Sequence, residues 1–141
     1  MDKQRALETI ELEMAILIRR VTSNITNNKF GNLDRAAYLL LHQIHSNGSA
    51  GVRALADEFH LDISTVSRQA AALEQKGYVF RTPDPSDKRA FTLQITELGL
   101  KELYAHKQAR LERITELLKN WSEEECYLFG ELLKKFNRTF V

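Results

Sequence analysis

Cysteine is all but missing from these 141 residues, with Cys126 standing alone. An internal disulfide and any multi-cysteine metal site are thereby excluded. Proline occurs only at Pro83 and Pro85, inside one short polar stretch that reads as a turn. No apolar run approaches membrane-spanning length. The opening Met-Asp-Lys-Gln-Arg leads into an amphipathic pattern rather than a signal-peptide apolar region, so a cytoplasmic location is expected. Strong basic charge is also lacking, the formal net charge being +1. Nucleic-acid binding usually shows as a basic surface. Between Leu61 and Arg89, Arg68, Lys76, Arg81, Lys88 and Arg89 face Asp62, Glu74, Asp84 and Asp87, an excess of one per copy. Any DNA affinity must then come from where the charges sit, and a dimer would present the set twice. No nucleophile elbow, phosphate loop, paired-carboxylate or metal-ligand spacing occurs, which argues against an enzyme and against a cofactor.

What is present centres on the stretch from Leu55 to Gly77. Two short helical patterns meet at His60-Leu61-Asp62, the arrangement of a helix-turn-helix. Asp62 is expected to cap the second helix, residues 63–76, with its carboxylate. Leu61 and Val66 are spaced for a hydrophobic staple, and Gly77 suits the left-handed position that stops a helix. On that second helix Val66, Ala70 and Leu73 share one side, which can pack on Leu55 and Phe59 of the preceding helix. Ser64, Arg68 and Gln75 fall opposite, with Thr65, Ala71 and Ala72 beside them. Hydroxyls, one long guanidinium and no bulk suit a helix that enters a DNA major groove. A solvated helix face rich in alanine would read the same way.

The rest of the chain frames this stretch. Residues 2–28 read as one long helix, with Leu7, Ile10, Met14, Leu17, Val21 and Ile25 in a stripe. A break follows at 28–33. Asp34 can cap a helix that runs to about His45, with Ala37, Leu40, Leu41 and Ile44 apolar. Residues 46–51 read as a loop, and the first helix of the helix-turn-helix spans Val52 to Phe59. After Gly77 the period changes to two. Residues 78–82 and 90–95 are strand candidates joined by a charged turn over 83–89. A hairpin directly after the reading helix makes a winged helix-turn-helix. Thr96 caps a helix expected to reach about Asn120, in which Leu100, Tyr104, Leu111, Ile114, Leu118 and Trp121 keep near a heptad rhythm. Ser122 and Glu125 form a capping box that opens a last helix carrying Leu128, Phe129, Leu132, Leu133, Phe136 and Phe140. The fold class expected is therefore mainly α with a small β-hairpin wing. Three long apolar stripes exceed what one copy can cover, so a two-fold dimer through the N- and C-terminal helices is expected.

At the wing the sequence resembles the MarR family of bacterial transcriptional regulators. The residues that carry the likeness are Leu73-Glu-Gln-Lys-Gly-Tyr-Val79, Arg81, Asp84-Pro-Ser-Asp-Lys-Arg89 and Ile95-Thr-Glu-Leu-Gly99. Ile95 stands where the family pattern has Leu. The order of elements fits along essentially the whole chain. The resemblance implies one domain over 1–141, with dimerisation helices in 1–33 and 97–141 and a DNA-binding lobe in 34–96. It implies a homodimer on a palindromic operator in double-stranded DNA, acting as a repressor released by a small aromatic or lipophilic effector. Ser64, Thr65, Ser67 and Arg68 match the family's groove and phosphate contacts. Arg89 matches the wing arginine that enters the narrow minor groove, Asp87 the acid that orients it, and Lys88 a phosphate contact. Ala50 and Gly51 depart from the more polar start usual for the following helix.

Other constellations carry less. His42 and His45 lie three apart and His106 sits on the fifth helix, but no His-x-x-x-His occurs, so satisfied or solvated histidines are the simpler reading than a metal site. Peroxide-sensing relatives carry their reactive cysteine near the start of the chain, whereas Cys126 lies near the end and reads as an inert thiol. Phe30, Tyr38, His42 and His45 could line an effector crevice. The competing function is a sensor or protein-interaction module of the same fold that has lost operator binding.

Overall fold

A computed structural model describes residues 2–21 and 33–140, with Lys88 described through its backbone alone. The order is α1 (Lys3–Arg20), α2 (Arg35–Asn47), β1 (Ala50–Gly51), α3 (Val52–Phe59), α4 (Ile63–Gln75), β2 (Val79–Asp84), β3 (Asp87–Ile95), α5 (Glu97–Leu117) and α6 (Glu123–Asn137). The later part of the first expected helix, most of the break after it, and Phe30 lie outside the described residues.

Local chemistry sets most boundaries. The Ala37 amide donates to Asp34 Oδ1 at 2.8 Å, capping α2 as expected. At α6 the Glu125 amide donates to Ser122 Oγ at 3.1 Å, and the Ser122 amide donates back to Glu125 Oε1 at 2.9 Å. This is the reciprocal capping box read from the sequence. Gly77 has φ +80°. Its amide donates to the Glu74 carbonyl, and the Tyr78 amide donates to the Leu73 carbonyl, each at 3.0 Å. Those two bonds form a Schellman motif, which satisfies carbonyls the end of α4 would otherwise leave open.

Four expectations need correction. Asp62 precedes α4 but makes no side-chain cap bond; its carboxylate is taken by Thr65, as described below. Residues 50–51 are not loop but strand, pairing antiparallel with β3 at Ala50↔Leu93 and Gly51↔Thr92. The turn of the hairpin is shorter than residues 83–89, because β2 continues through Pro83, opposite Phe91, and Asp84 pairs with Asp87. The sheet order is β1-β3-β2, so Pro83 lies on an edge strand, where a missing N–H is tolerated. Finally, α5 stops at Leu117 rather than near Asn120.

The chain divides into two compact units, Met1–His106 and Lys107–Val141. In the first, Leu40, Leu41 and Ile44 of α2, Leu55 and Ala56 of α3, Val66, Ala70 and Leu73 of α4, Val79 of β2 and Leu93 of β3 form one buried core. Phe59, Phe91 and Ile95 are partly buried against it. The faces read for α2, α4 and β3 are thus the faces that pack. On α5 the buried residues are Gly99, Leu103 and His106. Leu100 is partly buried against that core, whereas Tyr104, Leu111, Ile114 and Trp121 of the heptad stripe are exposed. Neither α1 nor α6 has a buried residue.

Candidate nucleic-acid interface

The turn between α3 and α4 places the candidate reading helix. His60 has φ 54° and ψ 45°, and the Leu61 amide donates to the Ala56 carbonyl at 3.0 Å. A histidine there adopts a left-handed conformation that glycine holds more cheaply. Leu61, the expected staple residue, stays exposed, while its partner Val66 is fully buried.

From this turn α4 presents two faces. Val66, Ala70 and Leu73 are buried, whereas Ser64, Arg68, Ala71, Ala72 and Gln75 are exposed and Thr65 and Ser67 half-buried. The open face carries a row of side chains one turn apart. Thr65 Oγ1 donates to Asp62 Oδ2 at 3.3 Å, and Arg68 Nη2 donates to Thr65 Oγ1 at 3.4 Å. Ser64, Thr65, Ser67 and Arg68 are thereby gathered on one stretch of helix, with the Arg68 guanidinium held along it.

The hairpin rises from the other end of α4. Asp84 Oδ1 accepts from the Ser86 amide at 2.9 Å and from the Ser86 hydroxyl at 2.8 Å. The amide bond first, and then the hydroxyl, hold the Asp84 carboxyl below the usual carboxylate range. Asp87 Oδ1 accepts from the Arg89 backbone amide at 2.9 Å. The Asp87 carboxylate therefore fixes the backbone at the wing tip and meets the amide of Arg89 rather than its guanidinium. Arg89 is exposed, and the Lys88 side chain lies outside what is described. Deeper in the wing Thr82 and Thr92 share a hydroxyl–hydroxyl bond of 2.8 Å.

Arg81 was part of the motif, but its role was not legible there. Its Nε donates to Glu74 Oε1 at 2.9 Å, and its guanidinium lies 4.1 Å from the Phe91 ring centroid. It thus ties the last turn of α4 to both strands of the hairpin. The pair is solvated, so its value is geometric more than energetic.

A second junction joins α4 to α5. The Thr96 hydroxyl donates to the Gly77 carbonyl at 2.6 Å and accepts from the Gly99 amide at 3.0 Å, which caps α5 as expected. The Thr96 amide donates to the Tyr78 carbonyl at 3.0 Å. A Cβ on Gly99 would be driven into that same carbonyl oxygen and would meet Ile95 Cγ1 at 2.8 Å. Close approach of the two backbones is why this position is glycine. Burial first, and then the charge of Glu102, raise the Tyr78 hydroxyl above its ordinary pKa.

Of the histidines, His106 is buried and stacks on Tyr38, ring centroids 4.2 Å apart. The Tyr38 ring also lies 6.2 Å from His42, and His45 meets Tyr104 edge-on at 6.3 Å. Tyr38, His42 and His106 are thus brought together. Among the described residues no group of three His, Cys, Asp or Glu side chains is placed to hold a metal. Cys126 is half-buried. No described helix is long and apolar enough to cross a membrane.

Comparison with known proteins agrees with this geometry. The MarR family model matches residues 33–91. The uncharacterized HTH-type transcriptional regulator YxaD of Bacillus subtilis is 48% identical over 142 residues, covering 100% of this chain and 99% of that protein. The transcriptional regulator BldR of Sulfolobus solfataricus superposes with a TM-score of 0.75 at 24% identity, covering 98% of this chain and 99% of BldR. A mutant MarR from E. coli, complexed with operator DNA, superposes with a TM-score of 0.72 at 25% identity, covering 92% and 95% of the two chains.

Proposed function

The chain belongs to the MarR family of DNA-binding transcriptional regulators, which are not enzymes, and we propose that it acts in the cytoplasm as a homodimeric repressor of a palindromic operator, released by a small aromatic or lipophilic effector. The observation that carries this reading is the division of α4. One face is sealed into the core while the face with Ser64, Thr65, Ser67 and Arg68 is left open. An open, hydroxyl-rich face with one arginine offers phosphate contacts and a guanine-reading group in a single element. The exposed Arg89 at the wing tip, with Lys88 beside it, supplies minor-groove and phosphate contacts, and Asp87 sets the backbone that carries them. An operator complex of a structural neighbour supports the same assignment.

The dimer is supported by α1 and α6, which bury nothing yet expose Leu7, Ile10, Leu17, Leu128, Leu132 and Phe136. A second copy is the partner that covers such stripes with closed symmetry. In this arrangement residues 1–33 and 97–141 clasp the copies and 34–96 read DNA. Effector release follows if the ligand favours the lobe spacing that does not fit the duplex.

The test is selection of bound duplexes from a random pool, followed by gel shifts with Arg68→Ala and Arg89→Ala. Each variant is expected to lose more than about tenfold in operator affinity while sedimenting as the same dimer. Wild-type affinity in either would overturn the assignment. The modest basic excess leaves one rival, a module of this fold that no longer binds operators. It predicts a flat salt dependence, where phosphate neutralisation gives a steep one.

A further inference from the structure

Four carboxylates lie between Leu61 and Arg89, and three are engaged away from the open face of α4. Glu74 is paired with Arg81, Asp84 is bonded to Ser86, and Asp87 to the Arg89 amide. Asp62 differs. It stands at the N-cap of α4, where aspartate ordinarily accepts a first-turn amide, yet it makes no such bond. Its carboxylate instead accepts the Thr65 hydroxyl and begins the row that continues to Arg68.

We propose that Asp62 is a specificity-determining residue of the reading helix, an inference that rests on the DNA-binding function argued above. A carboxylate only accepts hydrogen bonds. Phosphate oxygens are acceptors too and carry the same charge, so Asp62 opposes backbone contact at the helix N-terminus, where phosphates are otherwise welcome. The major-groove edge of cytosine offers the N4 amino group, a donor that a carboxylate can meet. Asp62 therefore lowers affinity for duplex in general and lowers it least where a cytosine stands opposite. Its second effect is positional. With the Thr65 proton turned toward Asp62, the Thr65 oxygen is left to accept from Arg68. The guanidinium is then set along the helix before any guanine arrives. The row pre-orders a donor for guanine and an acceptor for cytosine on one strip of the helix.

The experiment compares the full-length wild type with Asp62→Asn, since asparagine caps a helix as well as aspartate does. Binding to the selected operator and to a scrambled duplex of equal length is measured at several salt concentrations. A thermal melt of each protein checks the fold. Asp62→Asn is expected to bind the scrambled duplex about tenfold more tightly, to gain less on the operator, and to lose the preference for cytosine at one half-site position when the random-pool selection is repeated. A role confined to helix capping would leave that base preference unmoved. A discriminating wild type whose Asp62→Asn variant keeps the same ratio and the same base preference overturns this inference alone. A wild type that discriminates between no duplexes overturns the proposed function and this inference with it.

Discussion

The lobe built from α2 to β3 and the first turns of α5 differs from α1 and α6 in one respect that governs the rest. In the lobe, apolar side chains meet one another. Leu41, Ile44, Val66 and Leu93 have no exposure at all. On α1 and α6 side chains of the same kind face outward, Ile18 and Leu132 each at 62% exposure. Amphipathic spacing is present in both regions, so pattern alone does not decide whether a stripe finds its partner within its own chain. The lobe carries its own cohesion, because three helices and a three-stranded sheet converge on one centre. The other helices hold unspent apolar area, which water makes costly to leave open.

The contrast can be broken most directly at Gly99. Gly99→Ala should destabilise the lobe by about 4 kcal/mol or more, because the added methyl collides with backbone that cannot move aside. Chemical denaturation followed by far-UV circular dichroism measures it, and a cost under about 1 kcal/mol would refute the close approach. A smaller effect sharpens the contrast. Leu41→Ala should cost about 3 kcal/mol at any protein concentration, as a core cavity does. Leu132→Ala should cost within about 0.5 kcal/mol in dilute protein, and its deficit in melting temperature should grow as concentration rises. Equal, concentration-independent costs at both positions would erase the distinction between the regions. One change is a gain. His60→Gly relieves the left-handed backbone and should stabilise the lobe by about 1 kcal/mol. An unchanged or lowered denaturation midpoint would show that the histidine side chain offsets its own strain.

Legibility followed the range over which each feature is determined. The ends of α2, α4 and α6 could be read because Asp34, Gly77 and Ser122 act on neighbours within a few positions. The division of α4 into two faces was legible for the same reason. What escaped depends on distant partners. Ala50 and Gly51 have no strand pattern of their own and become a strand only through Leu93 and Thr92. Pro83 looks like the end of a strand until its place on a sheet edge is known. The residues that α5 buries, Leu103 and His106, are selected by the surface they meet and not by the repeat that continues toward Trp121, so that repeat does not name them. Asp62 has the position of a cap, where aspartate is common, yet Thr65 competes for the same oxygens. The wing motif located Arg89 and Asp87 correctly in the hairpin, but residue order could not foretell that the acid would grip an amide.

The joint at Tyr78 has a mechanical consequence. Its carbonyl takes the Thr96 amide and lies against Gly99, while the Thr96 hydroxyl reaches back to the Gly77 carbonyl. Two rods welded within a few ångströms cannot pivot independently. Torque on the opening turn of α5 arrives at the tail of α4 with little slack, so this corner behaves as a crank rather than a tether.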